Sequence, residues 1–328
     1  MKKFISLLMA LLITTNIYAV TKVNGAGATF PYPMYSKWFS EYNKLNKDVQ
    51  FNYQSIGSGG GIRQLIKQTV DFGASDAPMK EKDKKKAAWP VKHIPTILGA
   101  VSIAFNLEMS GTLKLDGATL SEIFMGSISK WDDERIKNLN PGLKLPNKDI
   151  LVVRRADGSG TTSIFSDYLS TVSKKWEEKV GRGKSLKWPV GIGSKGNEGV
   201  TATIKQTDGA IGYVELAYAL KNNLPTVALK NKAGEFTKPS VKGVSLSAAT
   251  LDKNAAVTTS IVDAAGKGVY PISAFTYILL PVKKEDAQLK EVKKFLNWAL
   301  TKGQSMAEEL HYAPLPKSLA TRMLNEIK

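Results

Sequence analysis

The chain has no cysteine and only two histidines in 328 residues. The first absence excludes disulfides, thiolate metal sites, a cysteine nucleophile and a lipid-modified cysteine behind a leader segment. The second leaves His93 and His311 far apart and without metal spacing, so neither a Ser-His hydrolase nor a histidine metal centre finds its parts. Beyond the N-terminal stretch no apolar run is long enough to span a bilayer. Nucleotide and hydrolase motifs fail on inspection. Gly183-Lys184-Ser185 ends like a phosphate-binding loop, but Glu178 stands where that loop needs glycine. Gly191-Ile192-Gly193-Ser194-Lys195-Gly196 matches the dinucleotide fingerprint letter for letter, yet it lies deep in the chain after only a short strand. Gly73-Ala74-Ser75-Asp76-Ala77 lacks the last glycine of a hydrolase elbow.

Negative charge is also scarce. There are 29 Asp and Glu against 46 Lys and Arg, a formal net charge of +17. Met1 to Ala19 carries two lysines, an apolar stretch from Phe4 to Ile13 and a small residue at its end, the pattern of a signal peptide cleaved after Ala19. A basic exported chain points to a small anion, an anionic surface or a polyanion rather than nucleic acid. The densest basic run, Lys80-Glu81-Lys82-Asp83-Lys84-Lys85-Lys86, alternates with acids and has no interleaved aromatics, which reads as a solvated helix face. A hydrophobic content of 43% supports buried cores in one large domain or two ordinary ones.

Three short strands run into Gly/Ser/Thr turns that open amphipathic helices. Val49, Phe51 and Tyr53 alternate before Gly57-Ser58-Gly59, and Ile62, Leu65, Ile66 and Val70 follow at helical spacing. Ile150 to Val153 precedes Gly158-Ser159-Gly160, and Ile164, Phe165, Tyr168, Leu169 and Val172 line one face beyond it. Val20 to Val23 leads through Gly25-Ala26-Gly27-Ala28-Thr29-Phe30 to Met34, Tyr35, Trp38, Phe39 and Tyr42. Alternating strands and helices predict an α/β protein with mainly parallel sheets and a ligand outside the strands' carboxyl ends. Unpaired amides in a helix's first turn bind oxyanions, and glycine lets the ion approach them. Ser58, Ser159 and Thr161 fit both that role and ordinary capping. Arg155 offers paired donors to an oxyanion, with Asp157 placed to orient it. Asp76 fits a turn ahead of Pro78, and in an anion site it repels a fully ionised oxyanion and accepts a hydrogen bond from a protonated one, which counts against sulfate. From Lys230 to Lys267 there is no clean period, and only loops and short elements are expected.

The stretches Gly25 to Pro31, Tyr53 to Ile62, Asp71 to Pro78, Lys130 to Asp133 with Leu139 to Gly142, Arg154 to Thr161 and Ala210 to Glu215 resemble, in the same order, the periplasmic phosphate-binding proteins of bacterial high-affinity phosphate ABC transporters. The lysine-rich stretch between Pro78 and Pro95 is less typical of that family. The resemblance implies a type II periplasmic binding protein fold: two α/β lobes with a ligand cleft and two hinge crossings, near Leu98 to Ile103 and near 260–272. Residues 20–98 and 265–328 would form lobe I, and 99–264 lobe II. The phosphate ligands it implies are Thr29, Phe30 through its backbone N–H, Ser58 and Asp76 from lobe I, and Arg155, Ser159, Gly160 and Thr161 from lobe II. Asp157 would sit behind Arg155. The implied protein is a monomer of the periplasm without catalysis or cofactor, whose partners are inorganic phosphate and the permease subunits of the transporter. A different oxyanion such as molybdate or sulfate, a secreted phosphoester hydrolase and a polyanion-binding surface protein are the competing readings.

Overall fold

One uninterrupted strand of fifteen residues, Val91–Phe105, organises the fold. The structure is a computed structural model that describes residues 20–327, so the expected signal peptide lies outside the described residues. In chain order the strands are β1 (Thr21–Gly27), β2 (Val49–Ser55), β3 (Phe72–Ser75), β4 (Val91–Phe105), β5 (Lys114–Leu115), β6 (Leu151–Arg155), β7 (Ile192–Ser194), β8 (Ala210–Glu215), β9 (Ala228–Lys230), β10 (Phe236–Thr237) and β11 (Ser273–Pro281). Eight of them run in the order β2-β1-β3-β11-β4-β8-β6-β7, while β10-β9-β5 form a small separate sheet. Nine of the first ten residues of β4 pair with β11, Thr96 being bulged out, and Val101–Phe105 pair with β8, so a single strand belongs to both halves of the molecule. At this switch the Val101 N–H donates to the Ile272 carbonyl at 2.8 Å, which holds the second chain crossing beside the first.

Each outer wing is parallel, β2-β1-β3 on one side and β8-β6-β7 on the other. The centre is antiparallel, at β3-β11, β11-β4 and β4-β8. The expectation of mainly parallel sheets therefore describes the wings and the β5-β9 pair, not the centre. Strand–helix alternation reveals the crossover units, but it is silent about a long strand whose residues are nearly all buried on both faces.

Both wings are covered by helices whose apolar stripes follow the expected spacing. Tyr32–Leu45 buries Met34, Tyr35, Trp38, Phe39 and Tyr42 against β2 and the helix Ala287–Thr301, where Phe39 stacks on Phe51 at 5.2 Å and Phe295 packs tilted against both at 4.9 Å. Gly160–Val172 buries Ile164, Phe165, Tyr168 and Leu169, and Phe165 stacks on Tyr213 of β8 at 4.3 Å. Two boundaries differ from the sequence reading. Strand β1 continues to Gly27, so Gly25 lies inside it rather than in a turn. A Cβ at Gly25 would collide with the Phe72 ring, and glycine here admits an aromatic of the neighbouring strand. The helix Ser58–Ile66 stops before Val70, because Gln68 turns left-handed at φ 58° and Val70 instead starts the chain back toward β3. The unassigned stretch from Lys230 onward contains β10 and the helix Val241–Ala249, capped by Ser240. Among the described residues no helix is long and apolar enough to cross a membrane.

Candidate functional site

All the strand ends expected to bear ligands meet at the seam between the wings. Gly27, Ser55 and Ala74 sit side by side in register at the carboxyl ends of β1, β2 and β3, which brings Thr29, Ser58 and Asp76 to one edge. Across from them Arg155 ends β6 and pairs in register with Ser194 of β7. Four helices begin here with their N-termini turned toward the seam: Tyr32–Leu45, Ser58–Ile66, Gly160–Val172 and Gly196–Gln206. Thr29, Ser58, Asp76, Arg155, Ser159 and Thr161 are all buried.

On the first side Asp76 is held from two directions. Thr276 of β11 donates its hydroxyl to Oδ1 at 2.8 Å, and Ser58 donates to Oδ2 at 3.4 Å. The Asp76 N–H in turn donates to Ser58 Oγ at 3.2 Å. Burial pushes the Asp76 carboxyl up to about 7, against the opposing pull of Thr276, the Arg155 charge, Ser58 and the Lys184 charge. This carboxyl is therefore balanced between accepting and donating a proton near neutral pH.

On the second side Arg155 is gripped by Asp157 through Nε at 2.7 Å and Nη2 at 2.5 Å, a two-pronged pair whose arginine side chain is 1% exposed. The pair is buried and its geometry is fixed. Nη1 donates to Thr161 Oγ1 at 3.4 Å, which leaves one N–H on each terminal nitrogen for an anion. Burial pushes the Asp157 carboxyl upward, but the Arg155 hydrogen bonds and charge, with the Gly196 N–H at 3.1 Å, hold it below the usual carboxylate range. Ser159 caps its helix by accepting from the Thr162 N–H at 3.0 Å, and its own N–H donates to the Lys184 carbonyl at 2.8 Å. Its hydroxyl proton is still free to reach an oxyanion.

The two sides touch at Gly160. A Cβ placed there would strike the Asp76 carboxylate and the Ser58 hydroxyl, so only glycine lets this helix start close against the opposite wall. Phe30 differs from its neighbours. Its ring lies edge-on to Tyr312 at 6.4 Å and its carbonyl accepts from the Tyr312 hydroxyl at 2.6 Å, so the residue can face an anion with its backbone amide alone.

Two further residues belong to this constellation. Asn197, fully buried at the start of Gly196–Gln206, donates from Nδ2 to Thr29 Oγ1 at 2.7 Å and to Thr161 Oγ1 at 3.1 Å, tying one side to the other. Its Oδ1 accepts from the Glu215 N–H at 2.9 Å. The signal for it was present in the sequence, since a glycine followed by a polar residue opens a helix after a strand; the same glycines also spell the failed dinucleotide fingerprint. Thr276 comes from the middle of a buried strand 200 residues beyond Asp76, and no local pattern marks it.

Two α/β lobes sharing a strand, with helix N-termini, an arginine and buried hydroxyls converging on the cleft, define a solute-binding protein of the type II periplasmic-binding class. A family model described as a PBP superfamily domain matches residues 15–302. The chain is 46% identical over 307 residues to the phosphate-binding protein PstS of Xylella fastidiosa, covering 92% of this chain and 84% of that one. It is 44% identical to the PstS of Pasteurella multocida, covering 97% and 94%. Among solved structures it superposes on a high-affinity periplasmic phosphate-binding protein bound with phosphate, with a TM-score of 0.75 at 21% identity over 92% of each chain. The phosphate-binding protein of Stenotrophomonas maltophilia gives 0.69 at 18% identity over 93% of each. The chain belongs to the PstS family of phosphate-binding proteins.

Proposed function

We propose that this protein captures inorganic phosphate in the periplasm and delivers it to the membrane permease of an ABC transporter. The observation that carries this reading is the meeting, at Gly160, of one wall that accepts a proton and one that donates to oxygen. Asp76 with Ser58 forms the first wall, and Arg155 with Thr161 and Ser159 the second. Thr29 and the Phe30 amide close one end. The lobes are assigned to residues 20–98 with 265–328 and to 99–264, and closure and binding are a single event because each lobe supplies only half of the donors. Stripping water from the ion is offset by several charge-assisted hydrogen bonds worth about 1.5–3 kcal/mol each.

Asp76 is what favours phosphate over sulfate or molybdate, because a carboxylate facing an anion without a proton costs free energy. Against the phosphoester-hydrolase reading stands the commitment of the site's polar groups: Asp157 is spent on Arg155, and His93 Nε2 accepts the Met79 N–H, with burial and neighbouring lysines lowering it to about 4. The protein then works by binding and release, without turnover. Acid release and a colour assay on freshly purified protein should find one phosphate per chain, and Arg155→Ala should weaken phosphate at least a hundredfold by calorimetry. Protein that carries no phosphate and binds none, or that hydrolyses a chromogenic phosphate ester, overturns the proposal.

A further inference from the structure

Beside the phosphate cleft, on the outer face of the same seam, lies a second depression of about 540 Å³. Its floor is the backbone contact where the Gly59 N–H donates to the Gly158 carbonyl at 2.7 Å. Five lysines and two arginines line it against one carboxylate, Asp83. Arg63 and Lys67 project from the helix Ser58–Ile66 and its end, Lys80, Lys82 and Lys86 from the segment after β3, and Lys184 from the opposite lobe. The basic run read as a helix face makes only a four-residue helix, Glu81–Lys84, in which Lys84 pairs with Glu81 and the other lysines do not. None of Arg63, Lys67, Lys80, Lys82 and Lys86 pairs with a carboxylate of the described residues. Arg182, in contrast, is already held by Asp167 and Glu177.

Uncompensated like charges converging on a concave surface cost free energy, and lobe closure increases that cost by bringing Lys184 to the others. Burial lowers the Lys184 ammonium, Asp83 opposes this, and Lys80 adds to it. A multivalent anion lying across the seam would remove the repulsion. Two features select the kind of anion. No aromatic side chain lines the groove, so there is no platform for stacking bases. The lining is dominated by lysines, compact point charges that suit phosphate oxygens, and the volume suits a short unbranched chain rather than a sugar polymer.

We propose that this groove is a binding site for condensed phosphate, a linear oligophosphate laid along the seam between the lobes and separate from the single-ion cleft. The site rests on its own residues and does not require that the cleft hold phosphate. Titration calorimetry with tripolyphosphate, in 50 mM salt and with 1 mM inorganic phosphate to fill the cleft, should give one saturable site. Its affinity should fall at least tenfold between 50 and 200 mM salt, as expected when several cations release counterions. The combined variant Lys67→Gln, Lys82→Gln and Lys86→Gln, all at exposed positions, should weaken tripolyphosphate at least tenfold while leaving its thermal midpoint and its titration with inorganic phosphate unchanged. The same titration without inorganic phosphate reads the groove even if the cleft binds something else. Equal binding by the triple variant overturns the proposal. So does stoichiometric displacement of inorganic phosphate, which would place the oligophosphate in the cleft, or tighter binding of a heparin fragment of matched charge, which would make the groove a general polyanion surface.

Discussion

Asp76 determines how this site responds to pH. In the ligand-free protein its carboxyl, raised to about 7 by burial, keeps a proton that the unfolded chain releases near 4. The folded state thus binds the extra proton across that window, and its contribution to stability is fully present below pH 4 and lost as pH rises through 7. Holding the proton over that pH range is worth at most about 4 kcal/mol. Asp76→Asn should remove this slope, so that the thermal midpoints of the ligand-free variant and parent diverge between pH 4.5 and 7.5; parallel curves would show that burial does not hold the proton. On the proposed function the same group sets selectivity. Below pH 7 a protonated Asp76 donates, and sulfate becomes acceptable. Calorimetry should find sulfate bound at least tenfold more tightly at pH 5.5 than at 8.5 in the parent, and with no pH dependence in Asp76→Asn. Arg155 was legible because it ends a strand next to a glycine turn, and Asp76 because a carboxylate just past a strand end, ahead of Ala77-Pro78, has a use in an anion site. Thr276 was not, because a strand from the far end of the chain recruits it, and the glycine signal ahead of Asn197 was masked by the dinucleotide fingerprint that the same glycines spell.

At the scale of elements, the start of the helix Gly160–Val172 carries two separable functions. Ser159 caps it, so Ser159→Ala should cost about 1 kcal/mol in urea unfolding without phosphate. Any further loss of phosphate affinity reports its free hydroxyl proton. Gly160 acts through contact alone. It is the first residue of its helix, where the interior preference for alanine brings no gain. The methyl group of Gly160→Ala would hold Asp76 and Ser58 away, and phosphate affinity should drop at least a hundredfold, about 2.7 kcal/mol. A Gly160→Ala protein that binds normally would mean that the walls do not approach this closely. The elements themselves were largely readable where a stripe of period 3.6 or 2 faced a single core. The sequence pattern failed where burial is two-sided, as in β4, or where a glycine serves an aromatic neighbour instead of a turn, as Gly25 serves Phe72.

For the whole molecule, the lobes are joined through β4 and the crossing at Ile272, and they are closed by a small set of polar contacts at the seam. Ser55 donates to Glu198 at 3.1 Å, Asn197 reaches Thr29, and the Tyr218 hydroxyl donates to the Thr29 carbonyl at 2.6 Å. Tyr218 is the contact that can be removed most cleanly. Its ring belongs to a buried cluster with Val200, Ile204 and Val214, so phenylalanine keeps the packing and deletes the bond between lobes together with a longer one to Glu198 Oε1 at 3.3 Å. The Thr29 carbonyl would remain bonded to the Tyr32 N–H, which limits the penalty for leaving it without Tyr218. A net hydrogen bond of about 1 kcal/mol then sets the expectation: Tyr218→Phe should weaken phosphate about fivefold. On the proposed lobe closure this bond is made as the cleft shuts, so the loss should fall on the opening step, and phosphate should dissociate about fivefold faster while association is little changed. Stopped-flow tryptophan fluorescence separates the two rates. A variant whose association slows instead would place the Tyr218 bond in the encounter with phosphate rather than in the latch that retains it.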